Sequence, residues 1–401
     1  MLVTLREPEY LPVLEQYAED ASFASFVSLL GEILRRGDHA IHSTPRLLDR
    51  FSKWPTLSRD QSVALHQTAR NVVVGTLPYG TVTDSLVLTG PGTPVPDPED
   101  GPRWHRRPWT WLHRRGRLDA TVLAGENLSD ACFYRWLGRA WAARSHSDDA
   151  LWVNIELSLS CRGLGGDTAR QEVPEIARND DPVLCILDSD RNHPAAELGP
   201  TARAVSSEMD RLSTDHLTRV EPLPARDIEN ILPLALVEEV MVPGDPKLRD
   251  TIARGFFARP RADPDLAYID LGKDQCERRL LDTRDEATRE YRVRALAKIR
   301  QGDPSILSPA DCPRLQNDQP PCGPESKWSP APECIVVHSI GKKLPRKIVA
   351  ALDDPSRRGY PHHTAMWLAS MLPADDDAAA LSHLAHLAWS WGLRSRPLPR
   401  L

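Results

Sequence analysis

A chain of 401 residues and 44.8 kDa has room for two or three domains, each with its own core. Its 41% hydrophobic and 26% charged residues fit a soluble globular protein, and no apolar run approaches the roughly 20 residues that a membrane helix needs. The net charge of −6 argues against a generally basic nucleic-acid coat, although an acidic site and a basic groove can share one molecule. Met1 to Pro8 lacks the basic and apolar regions of a signal peptide, so a cytoplasmic location without a membrane partner is expected. The seven cysteines (Cys132, Cys161, Cys185, Cys276, Cys312, Cys322, Cys334) are odd in number and scattered, unlike a disulfide framework. The 36 prolines break the chain into short elements joined by stiff connections.

Residues 1–100 read as a mainly helical N-terminal domain for partner or substrate contacts. Leu11 to Tyr17 and Ala24 to Leu34 carry apolar residues at helical spacing, and Ser58 stands as a cap before the run to Arg70. Val72 to Val74 and Thr81 to Leu88 look strand-like. The stretch from Thr89 to Pro102 is a linker on its Gly, Pro and Asp content. His39 and His42, with no patterned acid or cysteine beside them, read as surface residues. In the connector 101–117, Arg106, Arg107, Arg114 and Arg115 alternate with indoles including Trp109. Such a segment can grip phosphates while rings stack on bases; equally, the tryptophans can anchor the connector onto the next domain.

From residue 118 the pattern turns to strand and helix in alternation, which indicates an α/β fold with a largely parallel sheet flanked by helices. Ala120 to Ala124 is a strand ending at Gly125-Glu126, Ser129 to Trp141 a helix, and Leu151 to Leu157 the expected second strand. Gly163 to Gly166 is a turn whose glycines permit positive φ or a close approach to a ligand. Val183 to Leu187 is a buried strand delivering Asp188-Ser189-Asp190 to the sheet edge, where open α/β sheets hold their ligands. A helix over 201–212, a strand over 217–220 and a helix opening at Pro224, with Glu229 in its first turns, follow. A long proline-rich insertion at about 243–330 contains a helix near Asp285 to Ile299. Residues 351–401 form a helical C-terminal region whose Ala, Leu and Trp content suits packing or an oligomer surface.

These acids stand in the order seen in TOPRIM domains, and residues 118–350 resemble the TOPRIM nuclease half of the OLD (overcoming lysogenization defect) family. Glu126 and Asp130 match that family's strand-end Glu and the Asp four positions later. Gly165-Gly166 matches its Gly-Gly, Asp188 and Asp190 its Asp-x-Asp, and Arg226-Asp-Ile-Glu229-Asn-Ile-Leu232 the stretch holding its later Glu. Beyond the insertion, strand-like Cys334 to His338 leads to Gly341-Lys342, the match to a Gly-Lys whose ammonium stabilises transition-state charge; Lys343 is the neighbouring alternative. The resemblance implies a two-metal nuclease using Mg²⁺ or Mn²⁺, which carboxylate oxygens suit. Glu126, Asp130, Asp188, Asp190 and Glu229 would hold metal, and Lys342, with Glu126, would act in catalysis. It implies nucleic acid as partner, DNA before RNA, and phage defence as the setting.

The sequence departs from the family pattern at Asn127, where Gly is usual, and holds no Gly-x-x-x-x-Gly-Lys-Ser/Thr, so an ATPase or sensor would act in trans. A catalytically silent binding or sensor subunit is the competing reading. A haloacid-type phosphatase using Asp188 and Asp190 is disfavoured by Asn192, where Thr or Val is expected.

Overall fold

The computed structural model describes residues 1–74, 82, 84–93, 103–145, 155–179, 181–212, 216–241, 266–302, 334–337, 339, 343–358, 361–372 and 379–395. Its strands in chain order are β1 (Leu2–Leu5), β2 (Ala40–His42), β3 (Asp84–Thr89), β4 (Arg103–Pro108), β5 (Val122–Gly125), β6 (Ile155–Leu157), β7 (Ser160–Gly163), β8 (Val183–Leu187), β9 (Thr218–Pro222), β10 (Gln275–Cys276), β11 (Ile335–Val337) and β12 (Leu393–Ser395). The α/β expectation holds, with two four-stranded, all-parallel sheets flanked by helices: β2-β1-β3-β4 and β7-β5-β8-β9. The chain divides into two compact units: residues 1–186, 205–221 and 382–401 form the first, and 187–204 and 222–381 the second. No helix among the described residues is long and apolar enough to cross a membrane.

In the first unit, residues 1–100 carry three strands of a parallel sheet beside their helices. β1 pairs in parallel with β2 and with β3, placing Leu2 opposite Ala40 and Ser85. Leu2-Val-Thr-Leu5 is buried at all four positions, so it shows no period-2 alternation, and a short buried run of this kind has no periodic signature. The helix Ala21–Arg36 is capped by Asp20, which accepts from the Ser22 and Phe23 N–H groups, and ends at Gly37 with φ 68°. Phe23 and Phe26 from that helix meet Tyr10, Phe51 and Trp109 in one aromatic cluster with ring centroids 5.2–6.4 Å apart.

The supposed connector is therefore part of this core. Arg103–Pro108 is β4, registered against β3 with Val87 opposite Arg106, and Trp109–Arg115 is a helix ending at Gly116 in the left-handed region, φ 70°. The fold is closed by the C-terminal end. The helix Ala379–Gly392 buries Leu384, Leu387, Trp389 and Trp391, and β12 pairs antiparallel with β6. The Trp391 carbonyl accepts from Thr121 Oγ1 at 2.8 Å. Packing, not a free surface, accounts for these tryptophans.

β6 does not join the main sheet as expected. The strand beside β5 is β7, with Gly125 opposite Gly163, and it is an edge strand of alternating exposure. On the other side β8 runs parallel to β5 with Gly125 opposite Ile186, and all five of its residues are buried.

The second unit is built of helices around the 3₁₀ turn Ile228–Ile231, with Leu234–Met241, Glu286–Gly302, Leu344–Asp353 and Pro361–Met371. Tyr268 ties them together: its hydroxyl donates to the Pro224 carbonyl at 2.9 Å and its N–H donates to the Tyr291 hydroxyl at 3.0 Å. β11 is the strand expected at 334–338, but it pairs antiparallel with β10 in a two-stranded ribbon. The expected helix in the insertion is present at Glu286–Gly302.

Candidate functional site

In the first unit, Glu126 follows β5 directly and is half-buried. The chain after β7 is laid against it. Leu164 and Gly165 N–H groups donate to the Gly125 and Glu126 carbonyls, each at 3.0 Å, and Gly165 and Gly166 both take positive φ, 66° and 55°. A Cβ on Gly166 would stand 3.6 Å from Glu126 Oε1. The paired glycines thus take the positive φ that the sequence suggested.

Asp130 behaves differently. It is 4% exposed, and its Oδ2 accepts from the Asn127 N–H at 2.9 Å and from the Asn127 side-chain amide at 3.0 Å. Ser129 Oγ donates to Oδ1 at 3.3 Å. Burial raises its pKa against these hydrogen bonds, which pull it down. The Asp130 carboxylate closes the first turn of the helix Leu128–Ser145, half of a capping box with Asn127.

In the second unit, Asp188 is half-buried, Ser189 fully buried and Asp190 exposed. Asp190 has φ 50°, the one non-glycine residue at positive φ among those described, in a region that Asp tolerates better than most residues. The loop is pinned on three sides. Asp190 N–H donates to the Arg226 carbonyl at 2.9 Å, Gly199 N–H to the Ser189 carbonyl at 2.7 Å, and Ser189 Oγ to the Ala225 carbonyl at 2.5 Å. A Cβ on Gly199 would lie 2.3 Å from Asp190 Cβ, so glycine is required there. Arg226 Nη1 and Arg292 Nη2 both reach Asn192 Oδ1, at 2.6 and 3.3 Å.

Glu229 lies in the 3₁₀ turn, 8% exposed, where Asp227 and Asn230 form a reciprocal capping box. Asp227 was passed over as a spacer in the sequence. Its pKa is raised well above the usual range, first by burial and then by the charges of Glu229, Asp270 and Asp190, with Arg226 opposing. Its Oδ1 is buried without a hydrogen-bond partner among the described residues. Asp190, Asp227, Glu229 and Asp270 thus share one electrostatic neighbourhood, edged by Arg226 and Arg292. Asp227 is a position of the Arg226-to-Leu232 stretch that nothing local distinguishes, and Asp270 and Arg292 come from distant sequence.

Carboxylate oxygens are the donor type for Mg²⁺ or Mn²⁺. Nevertheless, no group of three or more His, Cys, Asp or Glu among the described residues is gathered closely enough to hold a metal ion. Lys342 lies outside the described residues; Lys343 is exposed, just before the helix Leu344–Asp353.

The basic-aromatic segment is corrected in part. Trp109 is 7% and Trp111 3% exposed, so neither ring offers a face to a base. Arg115 lies over the Trp111 ring at 4.4 Å, and Arg107 Nη1 donates to the Arg106 carbonyl at 2.7 Å. Arg114 is exposed. The two histidines read as surface residues are also corrected: His39 is fully buried, with Nε2 2.7 Å from the Asp119 carbonyl, and burial lowers the His42 pKa to about 4.

Comparison of the chain with protein-family models, with curated proteins and with solved structures found no match.

Proposed function

We propose that this chain is a divalent-metal-dependent nuclease cleaving phosphodiester bonds, in DNA before RNA; the assignment of Glu126, Asp130, Asp188, Asp190 and Glu229 to metal binding comes from the resemblance to OLD-type TOPRIM domains. The observation that carries the reading is the neighbourhood of Asp190, Asp227, Glu229 and Asp270, where a buried carboxylate oxygen has no partner among the described residues and like charges face one another. Such an arrangement costs stability unless a cation offsets it. Bound Mg²⁺ or Mn²⁺ would supply an activated water and neutralise charge on the scissile phosphate.

The chain's own residues do the positioning. The pinned loop at Ser189 holds the two aspartates on either side of it, and the Asp130 to Asn127 cap fixes the turn after Glu126. Arg226 and Arg292 set positive charge beside Asn192, suited to a phosphate oxygen. The phage-defence setting, a partner ATPase or sensor in trans and oligomer formation belong to the proposal through the resemblance to OLD-type TOPRIM domains alone.

A second reading, a catalytically silent nucleic-acid-binding or sensor subunit, is favoured by the closed Asp130 cap and by the lack of a gathered three-donor group among the described residues. Cleavage assays with Mn²⁺ on plasmid DNA, linear DNA and RNA, comparing the native chain with Asp188→Ala and Glu126→Gln, separate the two. Activity abolished in both variants supports the nuclease. Nucleic-acid binding without cleavage by the native chain supports the silent subunit and ends the nuclease reading.

A further inference from the structure

Cys132 and Cys161 have no part in the acid chemistry, yet the fold brings them together. Cys161 sits on edge strand β7, where exposure alternates so that Cys161 and Gly163 share one face and Ser160 and Arg162 the other. That face is turned to the helix Leu128–Ser145, because a Cβ on Gly163 would stand 2.5 Å from Leu128 N and 3.1 Å from Asn127 C. In a parallel strand, helix, strand crossover the helix runs opposite to the strands. Stepping back two residues along β7 from Gly163 covers about 6.6 Å at ~3.3 Å per residue. Stepping four residues along the helix from Leu128 covers about 6 Å at ~1.5 Å per residue. The first step reaches Cys161 and the second Cys132. The two thiols are hydrogen-bonded, and that bond together with burial raises the Cys161 thiol pKa, with Arg135 and Arg139 opposing. Neither cysteine is in a disulfide and both are only partly buried, whereas Cys185 in β8 is fully buried.

We propose that Cys132 and Cys161 are an oxidation site at which a peroxide forms an intrachain disulfide joining the helix Leu128–Ser145 to β7. One sulfur attacks a peroxide oxygen, the O–O bond breaks, and a sulfenic acid forms with loss of water. The second sulfur then attacks the sulfenic sulfur and displaces the hydroxyl as water. Two thiols lose two electrons and two protons, one hydrogen peroxide is reduced, and two waters leave. The bond would fix β7, and with it the Gly165-Gly166 turn that lies against Glu126, to the helix that begins two residues after Glu126. The site depends on this juxtaposition and not on the nuclease reading.

The test is oxidation of the full chain with hydrogen peroxide, alkylation of remaining thiols with iodoacetamide, non-reducing proteolysis and mass spectrometry. A dominant peptide linking Cys132 to Cys161, lost on treatment with dithiothreitol and absent from Cys132→Ser and Cys161→Ser, is the expected result, with Cys185 still alkylated only after unfolding. The proposal is overturned if both thiols remain alkylated after peroxide, if they carry sulfinic acid without a link, or if either pairs chiefly with another cysteine. Circular dichroism of the two serine variants shows whether they are folded, and the wild-type link decides the matter in either case.

Discussion

The buried ion pair between Asp84 and Arg219 offers the sharpest test of how the first unit is held together. Asp84 opens β3 and is 0% exposed; Arg219 lies on β9 and is 8% exposed. Arg219 Nη1 donates to Asp84 Oδ2 at 2.6 Å, while its Nε and Nη2 donate to Glu221 Oε2 at 3.0 and 2.8 Å. Glu221 in turn meets His383 Nε2 at 2.9 Å, and His105 Nε2 stands 3.6 Å from Asp84 Oδ1. The pair therefore links one four-stranded sheet to the other and reaches the C-terminal helix. Removing one partner of a buried pair costs about 3–5 kcal/mol. Because Glu221 would still neutralise Arg219, Asp84→Ala is expected at the lower end, about 3 kcal/mol. Replacing both, Asp84→Ala with Arg219→Met, should recover about 2 kcal/mol of what the single changes lose, since no charge is left stranded. Urea unfolding of the four proteins measures this coupling. The pair also sets a pH dependence. Burial pushes the Asp84 pKa up, but His105 and Arg219 together outweigh it and hold the carboxyl below its usual value. A depressed carboxylate stabilises the fold above its unfolded pKa of about 3.9, and that contribution disappears as pH falls through the lower folded value. Additive single-variant losses, or an Asp84→Ala cost under about 1 kcal/mol, would refute the reasoning.

Three further outcomes are expected. Asp227→Asn should stabilise the chelator-treated protein above about pH 4, because a raised folded pKa means that stability falls as pH climbs from the unfolded toward the folded value; an unchanged pH profile of thermal unfolding would count against the acid neighbourhood. Trp109→Ala should cost about 3–5 kcal/mol as an aromatic core truncation, while exposed Arg114→Ala stays within about 0.5 kcal/mol; if Trp109 stacked on bases instead, its loss would weaken DNA retention in a gel-shift assay without lowering stability. Gly163→Ala should destabilise by about 1–3 kcal/mol, since its Cβ would meet helix backbone at 2.5 Å; denaturant midpoints equal to wild type would show that the strand and helix are not packed as described.

What the amino-acid order determined by itself was local. Ser58 caps its helix as expected, with the Gln61 N–H donating to Ser58 Oγ and the Ser58 N–H to Gln61 Oε1. The apolar run from Val183 to Leu187 makes a buried central strand followed at once by its aspartates, and Gly165-Gly166 adopts the positive φ that only glycine takes cheaply. Caps, buried runs and turn glycines depend on interactions within a few residues, so they are written in the chain at short range. What only the tertiary structure decided depends on partners far away. Leu2 to Leu5 becomes a central strand because β2 and β3 flank it, and Ser160 to Gly163, not Ile155 to Leu157, lies beside β5 because an edge strand needs little burial. Trp109 is core because Phe23 and Phe26 surround it. Asp130 faces its own cap, and the Asp227 pKa is raised by burial and then by acids as distant in sequence as Asp190 and Asp270. Residue type and spacing cannot specify these outcomes, since each is set by burial and by the field of charges that the folded chain assembles.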